Sequence, residues 1–205
     1  MPAKQKVPFT KAMEIAADLE QKLKRAYQNV QIAGSLRRQK PIIGDIDIVV
    51  DGPTSKAAPL LETTVHGAHE IYGYYQNMHV NVYSADRAHW GAMIMFLTGP
   101  NHWNIGMRIR ARRLGLKLSQ YGVFANPEVW ATIQEAHAVK LDDETTIAKV
   151  REANPTADLF NKTSLHLLLK TSTKIQQGQP IAARTEKSIF TALQKPYKEP
   201  SMRGK

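Results

Sequence analysis

The segment Gly44-Asp45-Ile46-Asp47-Ile48-Val49-Val50 places two carboxylates two residues apart in a run of β-branched residues. Such residues favour strands, and strand side chains alternate, so Asp45 and Asp47 project from one face. Carboxylates held side by side repel each other unless a cation stands between them. A divalent metal carrying a triphosphate suits that position. On its own, an Asp-x-Asp pair reads as a solvated edge strand. The residues just upstream change that reading.

Gly34-Ser35 supplies small residues at the start of a short predicted helix. Backbone N–H groups there and the Ser35 hydroxyl can hold phosphate oxygens, and Arg38 adds charge. A phosphate cradle followed by metal-binding carboxylates outlines a nucleotidyl-transfer site. Gly34-Ser35, then residues 36–44, then Asp45-Ile46-Asp47 resembles the signature of the nucleotidyltransferase superfamily. Arg37-Arg38 and Gly44 narrow the resemblance to family X DNA polymerases.

Further segments carry the same resemblance in order. His89-Trp90-Gly91-Ala92 leads into Phe96-Leu97-Thr98-Gly99-Pro100, which resembles the hinge between palm and nucleotide-selecting subdomain. Asn104-Ile105-Gly106-Met107-Arg108 with Ala111 resembles the helix that closes over the nascent base pair. Gly115 to Phe124 resembles the following strand of very small viral members. Thr185-Glu186-Lys187-Ser188-Ile189-Phe190 and Pro196-Tyr197-Lys198-Glu199-Pro200 are similar to the family's last helix and its tyrosine-proline tail. The likeness spans most of residues 8–125 and 184–203.

The segment 101–114 also has a reading independent of any family. Trp103, Met107, Ala111 and Leu114 form an apolar stripe, and Asn104, Arg108 and Arg112 form the polar stripe beside it. The apolar stripe is core. The polar one is either a solvated face or, as the resemblance implies, a surface where Asn104 and Arg108 touch minor-groove edges. Minor-groove acceptors vary little between base pairs, so such contacts test pair shape without reading sequence. Arg110, Arg112, Arg113 and Lys117 fit phosphate contacts.

With 28 Lys and Arg against 18 Asp and Glu, the net charge of +10 favours a polyanionic partner, and beside a phosphate-binding motif nucleic acid is the first candidate. The chain has no cysteine, which excludes disulfides and thiolate metal sites. No apolar run approaches the about 20 residues of a membrane span. Met1–Pro8 does not read as a secretory signal, so an intracellular location is expected, cytoplasmic if the source is viral or bacterial.

Periodicity predicts a helix over 8–27 with Thr10 as its N-cap and Met13, Ala16, Ala17, Leu19 and Leu23 on its apolar face. Strands are predicted at 29–33 and 45–50, a helix near 55–62, and a hairpin of 70–75 with 79–83 around Gln76-Asn77-Met78. Residues 86–114 read as helix broken at Thr98-Gly99-Pro100, with Thr98 able to cap the second part. Residues 116–124 read as one strand with an irregularity at Tyr121-Gly122. Helices follow at 142–152, 164–176 and 185–193. The resulting expectation is an α+β fold. A nucleotidyltransferase palm, a mixed sheet backed by helices, occupies 1–98. A small α/β C-terminal nucleotide-selection subdomain occupies 99–205, with an insertion at about 126–183 whose Lys162, Lys170 and Lys174 either grip DNA or form a solvated face.

Two departures from the family pattern stand out. A third carboxylate is expected in the hairpin before Trp90, and Val80-Asn81-Val82 offers an amide instead. An amide is neutral and cannot take a proton from a 3′-hydroxyl, so Asn81 weakens the primer-side metal while Asp45 and Asp47 still hold the nucleotide-bound one. Either an Asp was changed to Asn to trap substrate, which the intact surroundings favour, or the natural protein lost this ligand. Asp86 is five residues on and would face the other way. Secondly, the stretch before residue 8 leaves no room for a lyase domain or a helix-hairpin-helix module.

The resemblance implies a DNA-directed DNA polymerase acting as a monomer in short-gap synthesis on primer–template or gapped DNA with dNTPs. Two Mg²⁺ ions, or Mn²⁺ in their place, would be held by Asp45 and Asp47, with position 81 completing the catalytic set. Gly34, Ser35, Arg38, Gly44, Phe96, Gly99 and Asn104 would line the nucleotide site, and Arg108, Arg110, Arg112 and Lys117 the DNA. The alternatives are a template-independent nucleotidyltransferase acting on nucleic acid or a small acceptor, and a catalytically dead DNA-binding homologue.

Overall fold

The computed structural model describes residues 6–67 and 69–204, so the reading of Met1–Pro8 falls mostly outside the described residues. The first half runs β1 (Val7–Pro8), α1 (Phe9–Leu23), β2 (Val30–Ile32), a single helical turn α2 (Gly34–Arg37), β3 (Ile42–Ile43), β4 (Ile46–Val50), β5 (Glu62–His66), β6 (Glu70–Tyr75) and β7 (Met78–Ser84). Five of these strands form a sheet in the order β2-β4-β7-β6-β5. Only β4 and β7 pair parallel in it; the other neighbours are antiparallel. This is the mixed sheet the sequence implied.

Helix α1 covers one face of the sheet with Ala12, Ile15, Ala16, Leu19 and Leu23. Burying each leucine stabilises the fold by about 1.5–3 kcal/mol. Its predicted start needs correction. The N-cap position belongs to Pro8, with no side-chain cap, and Thr10 lies inside the helix. The cause is tertiary: Val7–Pro8 pairs with Ile42–Ile43, and the Phe9 N–H donates to the Pro41 carbonyl at 3.0 Å. Ala17 is exposed, and the helix stops at Leu23.

The helix expected near 55–62 is also corrected. Two short 3-10 turns, Thr54–Lys56 and Ala58–Leu60, fill that stretch and lead straight into β5, an edge strand that sequence reading missed. Pro59 and the return to extended backbone at Leu61 prevent a longer helix. The hairpin of β6 and β7 turns at Gln76-Asn77, both with positive φ (48° and 61°), a pairing that suits a two-residue turn.

The second half contains α3 (Trp90–Thr98), α4 (Asn101–Arg113), β8 (Leu116–Ser119), β9 (Gly122–Ala125), α5 (Pro127–Ala138), α6 (Asp143–Ala153), α7 (Lys162–Lys170), α8 (Ser172–Gln176) and α9 (Glu186–Ala192). The single strand predicted over 116–124 is a hairpin turning at Gln120-Tyr121. The predicted helix over 164–176 is two helices. Thr98 does not cap α4; Pro100 takes that position without a side-chain cap. Helix α5, which the sequence did not reveal, begins at Pro127 behind an Asn126 cap that accepts from the Glu128 N–H at 2.9 Å.

Residues 126–183 are not an appended loop. Val129, Ile133, Val150, Phe160, Leu165 and Leu168 share one core with Met107, Leu116 and Phe190. The segment then returns to the hairpin, where Val123 bridges Ala182. This core also takes in Ala92 and Met95 of α3, while Ile94 of the same helix packs with Ala33 and Val49 of the sheet half. Helix α3 therefore belongs to both halves. Gly91 is needed there, since a Cβ would lie 2.3 Å from the Thr185 carbonyl carbon.

Candidate active site

The parallel pairing of β4 and β7 puts Asp47 directly opposite Asn81. The Asn81 Nδ2 donates to Asp47 Oδ1 at 2.8 Å, and Asn81 is 7% exposed. The place expected for a third carboxylate is thus beside Asp47, occupied by an amide turned to serve that carboxylate. Asp45 stands one step before β4. Its charge and that of Asp47 reach the same two groups, the Arg38 guanidinium and the Tyr83 hydroxyl. Burial, followed by the Asp47 charge, pushes the Tyr83 phenol well above its usual range. Asp86 lies beyond the end of β7 and pairs with His89 at 2.8 Å.

Gly34 opens the helical turn α2 at φ +59°, and a Cβ on it would fall 2.0 Å from Asp47 Oδ2. Only glycine allows this approach of the turn to the carboxylate. Ser35 is half-buried beside it. Arg38 donates from Nη1 to the Thr98 carbonyl, and its Nε is buried without a partner. Burial lowers the basicity of its guanidinium, opposed by the nearby Asp47 and Asp45 charges. Gly44 is partly exposed just before Asp45.

The hinge and α4 flank this edge. Gly99 has φ +53°, and a Cβ there would approach Asn104 Nδ2 at 3.6 Å and Arg38 Nη1 at 3.7 Å. Asn104 is 8% exposed and donates from Nδ2 to the Phe96 carbonyl at 2.7 Å. Arg108 is exposed, with its guanidinium 6.0 Å from the centre of the Phe96 ring. Phe96, Asn104, Arg108 and Ser119 thus gather around one small cleft. Arg112 and Lys117 are exposed. Ile105 and Ile109, exposed between Arg108 and Arg112, make that helical face partly apolar, which the stripe reading missed.

Two arginines have internal partners. Arg110 donates from Nε to the Leu193 carbonyl at 2.7 Å and from Nη2 to the Gln194 carbonyl at 2.8 Å. It closes the end of α9 rather than facing outward, because α9 packs across its side of α4. Arg113 forms a two-pronged pair with Asp158 at 2.8 and 2.6 Å. Lys162 of the insertion pairs with Asp143 at 3.5 Å.

One constellation was not foreseen. Glu186, at the start of α9, accepts from Arg37 Nη1 at 3.0 Å, from Arg37 Nη2 at 2.7 Å and from Arg203 Nη1 at 2.7 Å. Arg37 also donates to the Thr98 hydroxyl at 2.8 Å. The Arg203 side chain is 0% exposed, lies over the rings of Trp103, Phe190 and Tyr197, and keeps one buried nitrogen, Nη2, without a partner. Burial alone would raise the Glu186 carboxyl; the hydrogen bonds from Arg37 and Arg203 outweigh it and hold the group below its usual range. The two arginines following Gly34-Ser35 therefore divide: Arg38 turns to the carboxylate edge and Arg37 ties the sheet half to the C-terminal half.

Among the described residues no three His, Cys, Asp or Glu side chains cluster closely enough to hold a metal ion. Two carboxylates and a neutral amide oxygen still form a hard-oxygen donor set suited to one divalent ion. The buried, partnerless Arg38 Nε and the Gly34 turn lie beside these carboxylates. No helix among the described residues is long and apolar enough to cross a membrane.

Residues 93–204 match the family model described as DNA polymerase beta thumb. The fold is similar to that of the Leishmania infantum polymerase beta solved as a ternary gap complex, with a TM-score of 0.66 and 18% sequence identity. That similarity covers 98% of this chain and 71% of the other. No curated protein matches the sequence.

Proposed function

Because this chain belongs to the DNA polymerase beta thumb family and is a family X DNA polymerase-like protein, we propose that it is a small DNA-directed DNA polymerase adding dNTPs to a primer 3′-hydroxyl in short gaps. The observation that carries this reading is the Gly34 turn lying against Asp47, with Asp45 and position 81 at the same sheet edge. A nucleotidyl-transfer site needs a phosphate cradle within reach of metal-binding carboxylates, and this edge supplies both.

Asp45 and Asp47 would hold the nucleotide-bound divalent ion, Mg²⁺ or Mn²⁺, whose charge would offset that of the triphosphate. The turn at Gly34 and Ser35 directs backbone and hydroxyl donors at the phosphates, and the buried Arg38 Nε adds a charged donor. Asn104 keeps one amide hydrogen beyond the one given to Phe96, enough to meet a minor-groove acceptor. Arg108, Arg112 and Lys117 face the duplex and make its binding salt-sensitive. Arg110 serves the fold instead. The division proposed is a palm ending near residue 98 and a C-terminal selection subdomain that incorporates 126–183, with α3 shared between them.

Asn81 itself favours a second reading, a homologue that binds DNA and nucleotide without turnover. Primer extension on DNA with a one-nucleotide gap separates the two. Under the polymerase reading, Asn81→Asp raises templated incorporation of the complementary dNTP well above that of the unmodified chain. Untemplated addition by the variant would point to a terminal transferase. Tight DNA binding with no extension by either protein would establish the non-catalytic reading.

A further inference from the structure

Three cavities adjoin one another through shared lining residues. The first, about 600 Å³, lies between the β8–β9 hairpin and helices α5 and α8, with Tyr121, Phe124 and Trp130 on its walls beside Lys117. Gln179 also lines the second, about 480 Å³, where Lys174 and Arg184 stand. Arg184 and Thr185 continue into the third, about 620 Å³, with Arg87 and Trp90. At its other end the first cavity shares Ser119 with the cleft that holds Phe96, Asn104 and Arg108. The result is one trough running from the proposed base-pair-checking face around to the far end of α3.

Its chemistry is uneven in a specific way. Four cations line it, Lys117, Lys174, Arg184 and Arg87, and no carboxylate does. Among the described residues, none of Lys117, Lys174 and Arg184 has a carboxylate partner, in contrast to Arg113, Lys162 and Arg37 on other faces. Asp86, beside the second cavity, is held by His89 and is absent from the walls. The aromatic rings each keep a surface to solvent: Tyr121 is 48% exposed beside His89, and Phe124 and Trp130 are half-buried, Trp130 with its other side against the core. A cationic groove with spaced aromatic platforms matches the requirements of an unpaired strand, whose phosphates need charge and whose bases need flat surfaces. A duplex keeps its bases stacked on one another and gains nothing from such rings.

We propose that this trough binds single-stranded nucleic acid, with bases stacked on Tyr121, Phe124 and Trp130 and phosphates passing Lys117, Lys174, Arg184 and Arg87. The 126–183 segment contributes Trp130 and Lys174 to its walls, which gives that segment a role distinct from core formation. The site adds to the proposed polymerase reading and does not depend on turnover at Asp45 and Asp47.

The test is binding of a fluorescent oligodeoxythymidine 12-mer to the whole chain, without duplex, nucleotide or divalent metal. The unmodified protein should bind in a salt-sensitive manner and its tryptophan fluorescence should be quenched. Trp130→Leu should weaken binding about tenfold and remove much of the quench. Lys174→Ala should lower the salt slope by about 0.7. Asp47→Asn should bind as the unmodified chain does. Absence of 12-mer binding, or affinity and salt slope unchanged in both trough variants, overturns the proposal. Lys174→Ala and the quench in the unmodified chain keep it testable should Trp130→Leu fail to fold. Gap extension in the Asn81→Asp background, measured in parallel, separates the two readings. Extension with trough-independent 12-mer binding removes this site alone, and trough-dependent binding without extension removes the polymerase alone.

Discussion

Asp47 and Glu186 are both acidic groups with arginine nearby, yet their surroundings differ. At the start of the central strand β4, Asp47 and Asp45 lie close enough for their charges to reach Arg38, and Asp47 accepts from the neutral Asn81 amide. At the seam, Glu186 lies between Arg37 and Arg203, so guanidiniums outnumber carboxylates, and the surroundings are drier. The seam carries its counter-charges within the fold and holds the halves together. The edge sets two carboxylates beside a neutral amide, a donor set that a divalent ion would suit. Glu186 is bound directly by two arginines and Asp47 by an amide, and that difference in partners separates the carboxylate that ties the fold from the one proposed to bind a metal.

The sharpest way to break this comparison is to remove both acids in turn. Glu186→Ala leaves Arg37 facing the fully buried Arg203 with no anion between them. Stripping one side from a buried ionic cluster costs about 3–5 kcal/mol. For a chain of this size that is a fall of about 10 °C in melting temperature. Asp47→Asn relieves carboxylate crowding and should leave the melting temperature within a few degrees. If Asp47→Asn proves the more damaging in thermal unfolding, the assignment of one acid to stability and the other to binding is wrong.

Gly34→Ala probes the edge more finely. The added methyl meets Asp47 Oδ2, and the backbone at φ +59° disfavours any side chain. Strain of this kind costs about 1–3 kcal/mol. Binding should suffer more than stability, because displacing a positioned group by about 1 Å can lower activity about a hundredfold. Calorimetric titration of dNTP with Mg²⁺, in the Asn81→Asp background, reads the effect directly. Unchanged affinity would mean that the turn does not present Asp47 to the nucleotide.

The same contrast explains what was legible in the sequence. Asp45 and Asp47 could be placed on one strand face from alternation and spacing, whereas position 81 was singled out by the family resemblance and set opposite Asp47 by the parallel pairing of β4 and β7. The helix stripe of Met107, Ala111 and Leu114 was equally readable from period alone. The Glu186 cluster was not. Its members lie at positions 37, 186 and 203, and no local pattern states that three separate turns converge. Arg110 looked like a DNA contact for the same reason: the packing of α9 against α4, which redirects it, is a tertiary fact. Thr10 and the 55–62 stretch failed for a different cause, since pairing of Val7–Pro8 with Ile42–Ile43 and the edge strand β5 overrode local propensity.

Asn81→Asp converts the edge into a fuller version of itself. A carboxylate at that position would face Asp47 across the present 2.8 Å contact. Like charges so placed should lower stability by about 1–2 kcal/mol in metal-free buffer. Adding Mg²⁺ should recover the loss, giving the variant a metal-dependent melting temperature that the unmodified chain shows only weakly. A variant whose melting temperature ignores Mg²⁺ would argue against any ion at this edge.

The smallest expected effect concerns the seam and its pH dependence. Burial favours the protonated form of Glu186, but donors from Arg37 and Arg203 outweigh it, so its folded pKa lies below the unfolded value. With the folded pKa depressed, the stabilisation is fully present above the ordinary carboxylate range of about 4.3 and is lost as pH falls through the folded pKa. The difference in melting temperature between the unmodified chain and Glu186→Gln should therefore stay constant from pH 8 to about 5. It should narrow only in more acid buffer. A difference that instead grew on acidification would require the folded pKa to be raised, reversing the balance between burial and guanidinium donors on which the seam depends.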